Sequence, residues 1–192
     1  MGQRLNIEIL DNHEVIANSY YHWSAYTGSA AALAADIVYA FQTSDDALSP
    51  VEKAVRLLYN TGARIYPVET ARLTDEQRHT FDYAIDENAS RNAGLISITQ
   101  KGIEDTEQWE EYRVQIDITK KEVIFDVFAE YDAGDFEEEF QEPVHRLSVF
   151  EMQRRYSFSS WLETVPLILN FITDNQYAVI SEDGEVVYAF IE

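Results

Sequence analysis

Ten carboxylates crowd the middle of the chain's second half: Glu107, Glu110, Glu111, Asp126, Glu130, Asp132, Asp135, Glu137, Glu138 and Glu139. Side chains of this kind move protons in pairs, ligate hard cations, or present negative charge to something cationic. With 35 Asp and Glu in 192 residues, close pairs arise by chance, so a pair alone identifies no glycoside hydrolase. Neither Asp45-Asp46 nor the Asp132, Asp135, Glu137 cluster follows the D-x-D-x-D-G pattern of a calcium loop. The third use fits better. Residues 104–142 hold 15 acids and 3 bases, and Trp109, Ile124, Phe128, Phe136 and Phe140 stand among them. On a strand, outward residues recur every ~6.7 Å, about twice the ~3.4 Å phosphate spacing along one DNA strand. Carboxylates in such a row imitate a phosphate track. The apolar residues between them add burial at a contact, worth ~25 cal/mol per Å².

Other chemistry is poorly represented. The four histidines, His13, His22, His79 and His145, share no metal-ligand spacing, and the chain has no cysteine for a thiolate site or a disulfide. There is no Gly-x-Gly phosphate loop and no Gly-x-Ser-x-Gly nucleophile elbow. Ser24 with His22 and any Asp makes a triad by arithmetic only. The expectation is a protein without enzymatic activity and without a cofactor. The densest aromatic run, Tyr20-Tyr21-His22-Trp23-Ser24, reads as strand alternation with Tyr21 and Trp23 inward. An alternative makes Tyr20, His22, Trp23 and Tyr26 the lining of a pocket for a small molecule or nucleotide, in a sequestering protein or an enzyme of unfamiliar type. A third reading buries the patch in a homodimer.

The elements that would position these groups follow from periodicity. Leu5, Ile7 and Ile9 alternate with polar residues, and after the Asp11-Asn12-His13 turn a second strand returns, so residues 3–23 form a hairpin. A helix starts near Thr27 with Leu33, Ile37 and Phe41 on one face. Ser49-Pro50-Val51-Glu52 is a capping box opening a second helix that stops at Gly62, and Thr74 with Gln77 opens a third. Leu95 to Thr99 is a short strand. Tyr112, Val114, Ile116 and Ile118 alternate with Glu111, Arg113, Gln115 and Asp117. They lead past Lys120-Lys121 into Val123, Phe125 and Val127, an amphipathic hairpin with an acidic outer face. Pairing Ile118 with Val123 sets Glu111 opposite Glu130, a like-charge pair. Asp132 to Glu142 reads as an exposed loop and Val144 to Phe150 as a strand. Ser157 to Asn175 reads as a buried helix kinked or restarted at Pro166. A terminal hairpin turns at Asp183-Gly184, its last strand apolar on both faces and therefore central in a sheet. The fold class is α+β: mainly antiparallel sheet built from hairpins, with three to four packed helices. Residues 1–192 form a single compact unit, with 89–94 as the weakest point for a two-lobe split.

The net charge of −21 and a pI near 4.3 disfavour direct contact with nucleic acid or anionic lipid and favour a basic partner. A hydrophobic share of 46% argues for a folded rather than a disordered acidic chain. No apolar run approaches a bilayer span and the start lacks a signal-peptide pattern, so a cytoplasmic protein without a membrane contact is expected.

The opening Met1-Gly2-Gln3-Arg4-Leu5-Asn6-Ile7-Glu8-Ile9, with Tyr20-Tyr21-His22-Trp23-Ser24 after it, resembles the start of a group of phage and prophage proteins of Gram-positive bacteria. That resemblance brings no catalytic motif. In size, acidity and lack of cysteine the chain is similar to anti-CRISPR proteins and anti-restriction DNA mimics. The likeness implies a non-enzymatic inhibitor that occupies a basic nucleic-acid-binding groove of a host defence protein, such as an RNA-guided nuclease. The ten carboxylates named above would be its partner-binding residues.

Overall fold

The computed structural model describes residues 3–44, 47–127, 129–130, 145–147, 154–171, 176–180 and 186–190. Strands β1 (Leu5–Asp11) and β2 (Glu14–Tyr21) form the expected hairpin. Its two turn residues, Asn12 and His13, take φ of 50° and 75°, as a tight hairpin turn requires. Helix α1 (Thr27–Gln42) follows. It buries Ala30, Ala31, Ala34, Ile37 and Val38, while Leu33 and Phe41 are only half-buried. The face against the core is thus rotated toward the alanines, whose small side chains allow close approach.

Helix α2 (Pro50–Asn60) opens on the capping box, with Ser49 and Glu52 exchanging hydrogen bonds, and Gly62 ends it at a φ of 96°. After β3 (Arg64–Ile65) and the short α3 (Pro67–Thr70) comes α4 (Asp75–Thr80), capped by Thr74 and Gln77. Then come β4 (Leu95–Ser97), α5 (Gln100–Glu107), β5 (Tyr112–Asp117) and β6 (Glu122–Asp126). The remaining elements are β7 (Ala129–Glu130), β8 (His145–Leu147), β9 (Arg155–Ser157), α6 (Phe158–Phe171), β10 (Gln176–Ile180) and β11 (Val186–Phe190).

The class is α+β and the sheets are mainly antiparallel, as expected, but both also hold parallel pairing. Seven strands run in the order β3-β4-β2-β1-β5-β6-β9 and four in the order β7-β10-β11-β8. The pairs β1/β5, β3/β4 and β7/β10 are parallel. Alternation reveals which face a strand buries but not which way its neighbour runs, so hairpins alone were legible. As expected, β11 lies centrally, between β10 and β8. The strands on both sides of residues 89–94 belong to one sheet. Six α-helices stand among the described residues where three or four are expected, and α3 and α5 are the short additions.

The β5/β6 register also differs from expectation. Val123 pairs with Ile116, not Ile118, which sets Arg113 opposite Asp126. Asp117 explains the shift: its carboxylate accepts the N–H groups of Thr119 (3.0 Å) and Lys120 (2.8 Å), closing the turn one residue early. Glu111 consequently does not face Glu130, which belongs to β7 in the other sheet.

One face of the seven-stranded sheet carries Leu5, Ile7, Ile9, Ile96, Val114, Ile116, Val123 and Phe125, all buried. Helices α1, α2 and α6 cover it. Trp161 of α6, fully buried, packs against Phe125 and Tyr156 with ring centroids 4.9 and 5.0 Å away.

Candidate functional site

The other face of this sheet is polar. Strand pairing places Asn6 and Glu8 of β1, Asn18 and Tyr20 of β2, Arg113 and Gln115 of β5, and Ile124 and Asp126 of β6 on it. Helix α5 and the connection to β5 lie across its middle. Asn18 donates to Thr106 Oγ1 (2.8 Å), Asn6 donates to Glu110 Oε2 (3.1 Å), and Trp109 meets Tyr20 edge-on at 5.5 Å. Asn6, Glu8 and Asn18 are therefore wholly buried, and Asn6 Oδ1, Asn18 Oδ1 and Glu8 Oε1 have no hydrogen-bond donor. Burial pushes the Glu8 carboxyl above its usual range. A hydrogen bond from Gln115 (2.7 Å) and the guanidinium of Arg113 (3.4 Å) offset only part of this.

A second buried carboxylate holds α5 in place. Glu69, with no exposure, accepts the N–H groups of Ile98 (2.8 Å) and Thr99 (2.7 Å) and the Thr99 hydroxyl (3.0 Å). It thereby fixes the residues that open the helix. Arg72 spans from Glu69 (3.4 Å) to Asp105 (2.6 Å), and Lys101 adds a bond to Asp105 at 2.6 Å. Those two cations hold the Asp105 carboxyl below its usual range. Nothing in the local sequence pattern marks Glu69, because its partners lie some 30 residues on.

A cleft of about 310 Å³ opens beside the covered region, lined by Glu110, Glu111, Tyr112, Arg113, Gln115, Ile124 and Asp126. Three of the ten expected partner-binding residues meet here, around one aliphatic side chain. Arginines meet them too. Glu111 accepts from Arg4 through both the guanidinium (2.9 Å) and the backbone N–H (3.0 Å). Burial alone would raise the Glu111 carboxyl, but these bonds outweigh it and hold it low. Glu110 pairs with Arg113, Asp126 with Arg154 (3.1 Å), and Glu122 with Arg155 (2.7 Å). Glu107, the last residue of α5, is in none of these pairs. Glu130 is described in its strand only, and Asp132, Asp135, Glu137, Glu138 and Glu139 lie outside the described residues.

The aromatic run divides differently from expectation. Tyr20 and Tyr21 are both 2% exposed, on opposite faces of β2, while Trp23 is 47% exposed. The strand ends at Tyr21, so alternation no longer governs Trp23. The Tyr20 hydroxyl lies 3.0 Å from His22 Nδ1, and His22 meets Trp23 edge-on at 5.1 Å. Burial pushes the Tyr20 phenol upward. Trp109 is 36% exposed and carries the Arg91 guanidinium 5.7 Å from its ring centroid. Tyr26 instead flanks the start of α1. A second cleft of about 440 Å³ lies between Pro67, Thr70, Ala71, Arg78, Ile85 and Glu87. Neither cleft is lined by any residue from 20 to 26.

Among the described residues no group of three or more His, Asp or Glu side chains is arranged to hold a metal, and no helix is long and apolar enough to cross a membrane. Comparison with protein-family models, with curated proteins and with solved structures finds no match to this chain.

Proposed function

We propose that this protein is a non-catalytic inhibitor that docks on a basic, nucleic-acid-binding groove of a host defence nuclease. Its composition suggests an RNA-guided or restriction enzyme as the target. The observation that carries this reading is the cleft in which Glu110, Glu111 and Asp126 surround Ile124, with the part-exposed Trp109 next to Glu110 in the chain. Interfaces of this kind bury aromatic anchors within a polar rim. The arginines already on the rim limit the free charge there. Exposed ion pairs are worth only ~0–1 kcal/mol each, so a partner's cations can exchange with Arg4 or Arg154 at little expense. The chain-wide charge of −21 supplies the long-range attraction.

The test is retention of host proteins on the immobilised chain at low salt, followed by elution with duplex DNA. A target held through its nucleic-acid groove elutes with DNA and fails to bind at high salt. Proteins that stay bound in excess DNA would refute the reading, as would a column that retains none. Reversing Asp135, Glu137, Glu138 and Glu139 to Lys should slow association most if that acidic run contributes to steering. A second reading has one observation in its favour: the cleft of about 310 Å³ reaches the lower end of ligand-pocket volumes. A small molecule or nucleotide would sit there rather than among residues 20–26, and a thermal shift of several degrees with a nucleotide would favour it.

A further inference from the structure

We infer that Trp109 is the anchor of this docking face and that it receives an arginine of the partner, whose guanidinium lies over the indole. This rests on the proposed function above. Trp109 sits on the connection between α5 and β5, between Glu107 and the pair Glu110-Glu111, so one short segment presents both the ring and the carboxylates. Its edge-on contact with the buried Tyr20 fixes the ring from below. The ring already accepts a guanidinium, that of Arg91, which itself lies in an exposed loop and is replaceable. The exposed Trp23 meets His22 edge-on, and His22 lies against the same buried Tyr20 that Trp109 contacts. The choice of arginine over lysine follows from geometry. A planar guanidinium stacks on an indole and offers two parallel donors to a carboxylate, whereas an ammonium does neither. A nucleic-acid base would also stack, but its phosphates would face a chain of net charge −21.

The three tryptophans make the experiment self-controlled, because Trp161 is fully buried and serves as the internal reference. The full chain is titrated with hexa-arginine and with hexa-lysine at about 50 mM salt, and the indole N–H signals are followed by NMR. The expected result is movement of the Trp109 signal, a smaller movement of Trp23, and none of Trp161. Hexa-arginine should bind at least about threefold tighter than hexa-lysine. Trp109→Ala should weaken hexa-arginine about fivefold and Trp109→Phe by much less. An unmoved Trp161 signal in each variant shows that the fold is kept. Hexa-arginine that binds while leaving the Trp109 indole unmoved overturns the anchor but leaves the inhibitor reading standing. Equal affinity for Trp109→Ala does the same. No binding by either peptide overturns both.

Discussion

Glycine at position 102 is dictated by Glu69, and the consequence can be worked out. A Cβ built on Gly102 falls 2.2 Å from Glu69 Oε2 and 2.7 Å from its Cδ, where real contacts stay above 3.0 Å. In Gly102→Ala the carboxylate must therefore retreat by about 0.8 Å, the difference between the observed and the allowed distance. It has no freedom to do so, being fully buried and bonded at 2.8, 2.7 and 3.0 Å to Ile98 N, Thr99 N and Thr99 Oγ1. Such a shift takes at least two of these bonds past useful length. Hydrogen bonds to a charged group contribute ~1.5–3 kcal/mol each, and replacing Gly by Ala within a helix returns ~1 kcal/mol. Gly102→Ala should destabilise by about 2–5 kcal/mol net. In a Glu69→Ala background, itself destabilised by ~3–5 kcal/mol, the obstruction is gone, and Gly102→Ala should stabilise by ~0.5–1 kcal/mol. Urea unfolding followed by far-UV circular dichroism, with equal m-values across the four proteins, measures the cycle. A Gly102→Ala protein as stable as wild type refutes the argument. So does a double variant in which the sign of the effect has not reversed.

Three further outcomes follow from the charged groups. Because the folded-state Glu8 carboxyl lies above its unfolded value, its contribution is fully present below the unfolded pKa and is lost as pH rises through the folded one. Glu8→Gln should therefore gain on wild type between pH 4 and pH 7 in urea unfolding, and a widening deficit would contradict this. Asp117 has the opposite sign: burial would raise it, but the backbone N–H groups of Lys120, His13 and Thr119 outweigh that and hold it low. Its contribution is present above the unfolded pKa and lost as pH falls through the folded one. Asp117→Asn should cost ~1–3 kcal/mol at pH 7 and progressively less toward pH 3, in the same assay. Arg4→Ala frees Glu111 from its guanidinium partner. It should change stability little, as exposed pairs do, while raising hexa-arginine affinity about two- to threefold, and reduced affinity by fluorescence titration would count against the docking face.

The parts of this fold legible in the sequence are those set by neighbours in the chain. The caps at Ser49/Glu52 and Thr74/Gln77, the β1/β2 hairpin and the centrality of β11 each depend on a handful of adjacent residues. What escaped was set by distant partners. Arg4 reaches Glu111 across 107 residues because β1 and β5 run parallel, and no alternation of polar and apolar residues signals that pairing. The same blindness inflated the apparent field of the candidate site. Glu111 and Asp126 are exposed in part while Glu110 is largely covered, and the face they share also receives Arg4, Arg113 and Arg154. A strand face carries the sum of its own charges and those its neighbours bring, and a linear count includes only the first. On the proposed reading, that moves the weight of recognition from the number of carboxylates to the part-exposed Trp109. Trp109 lies two residues past the end of α5, a helix whose start is fixed by Glu69.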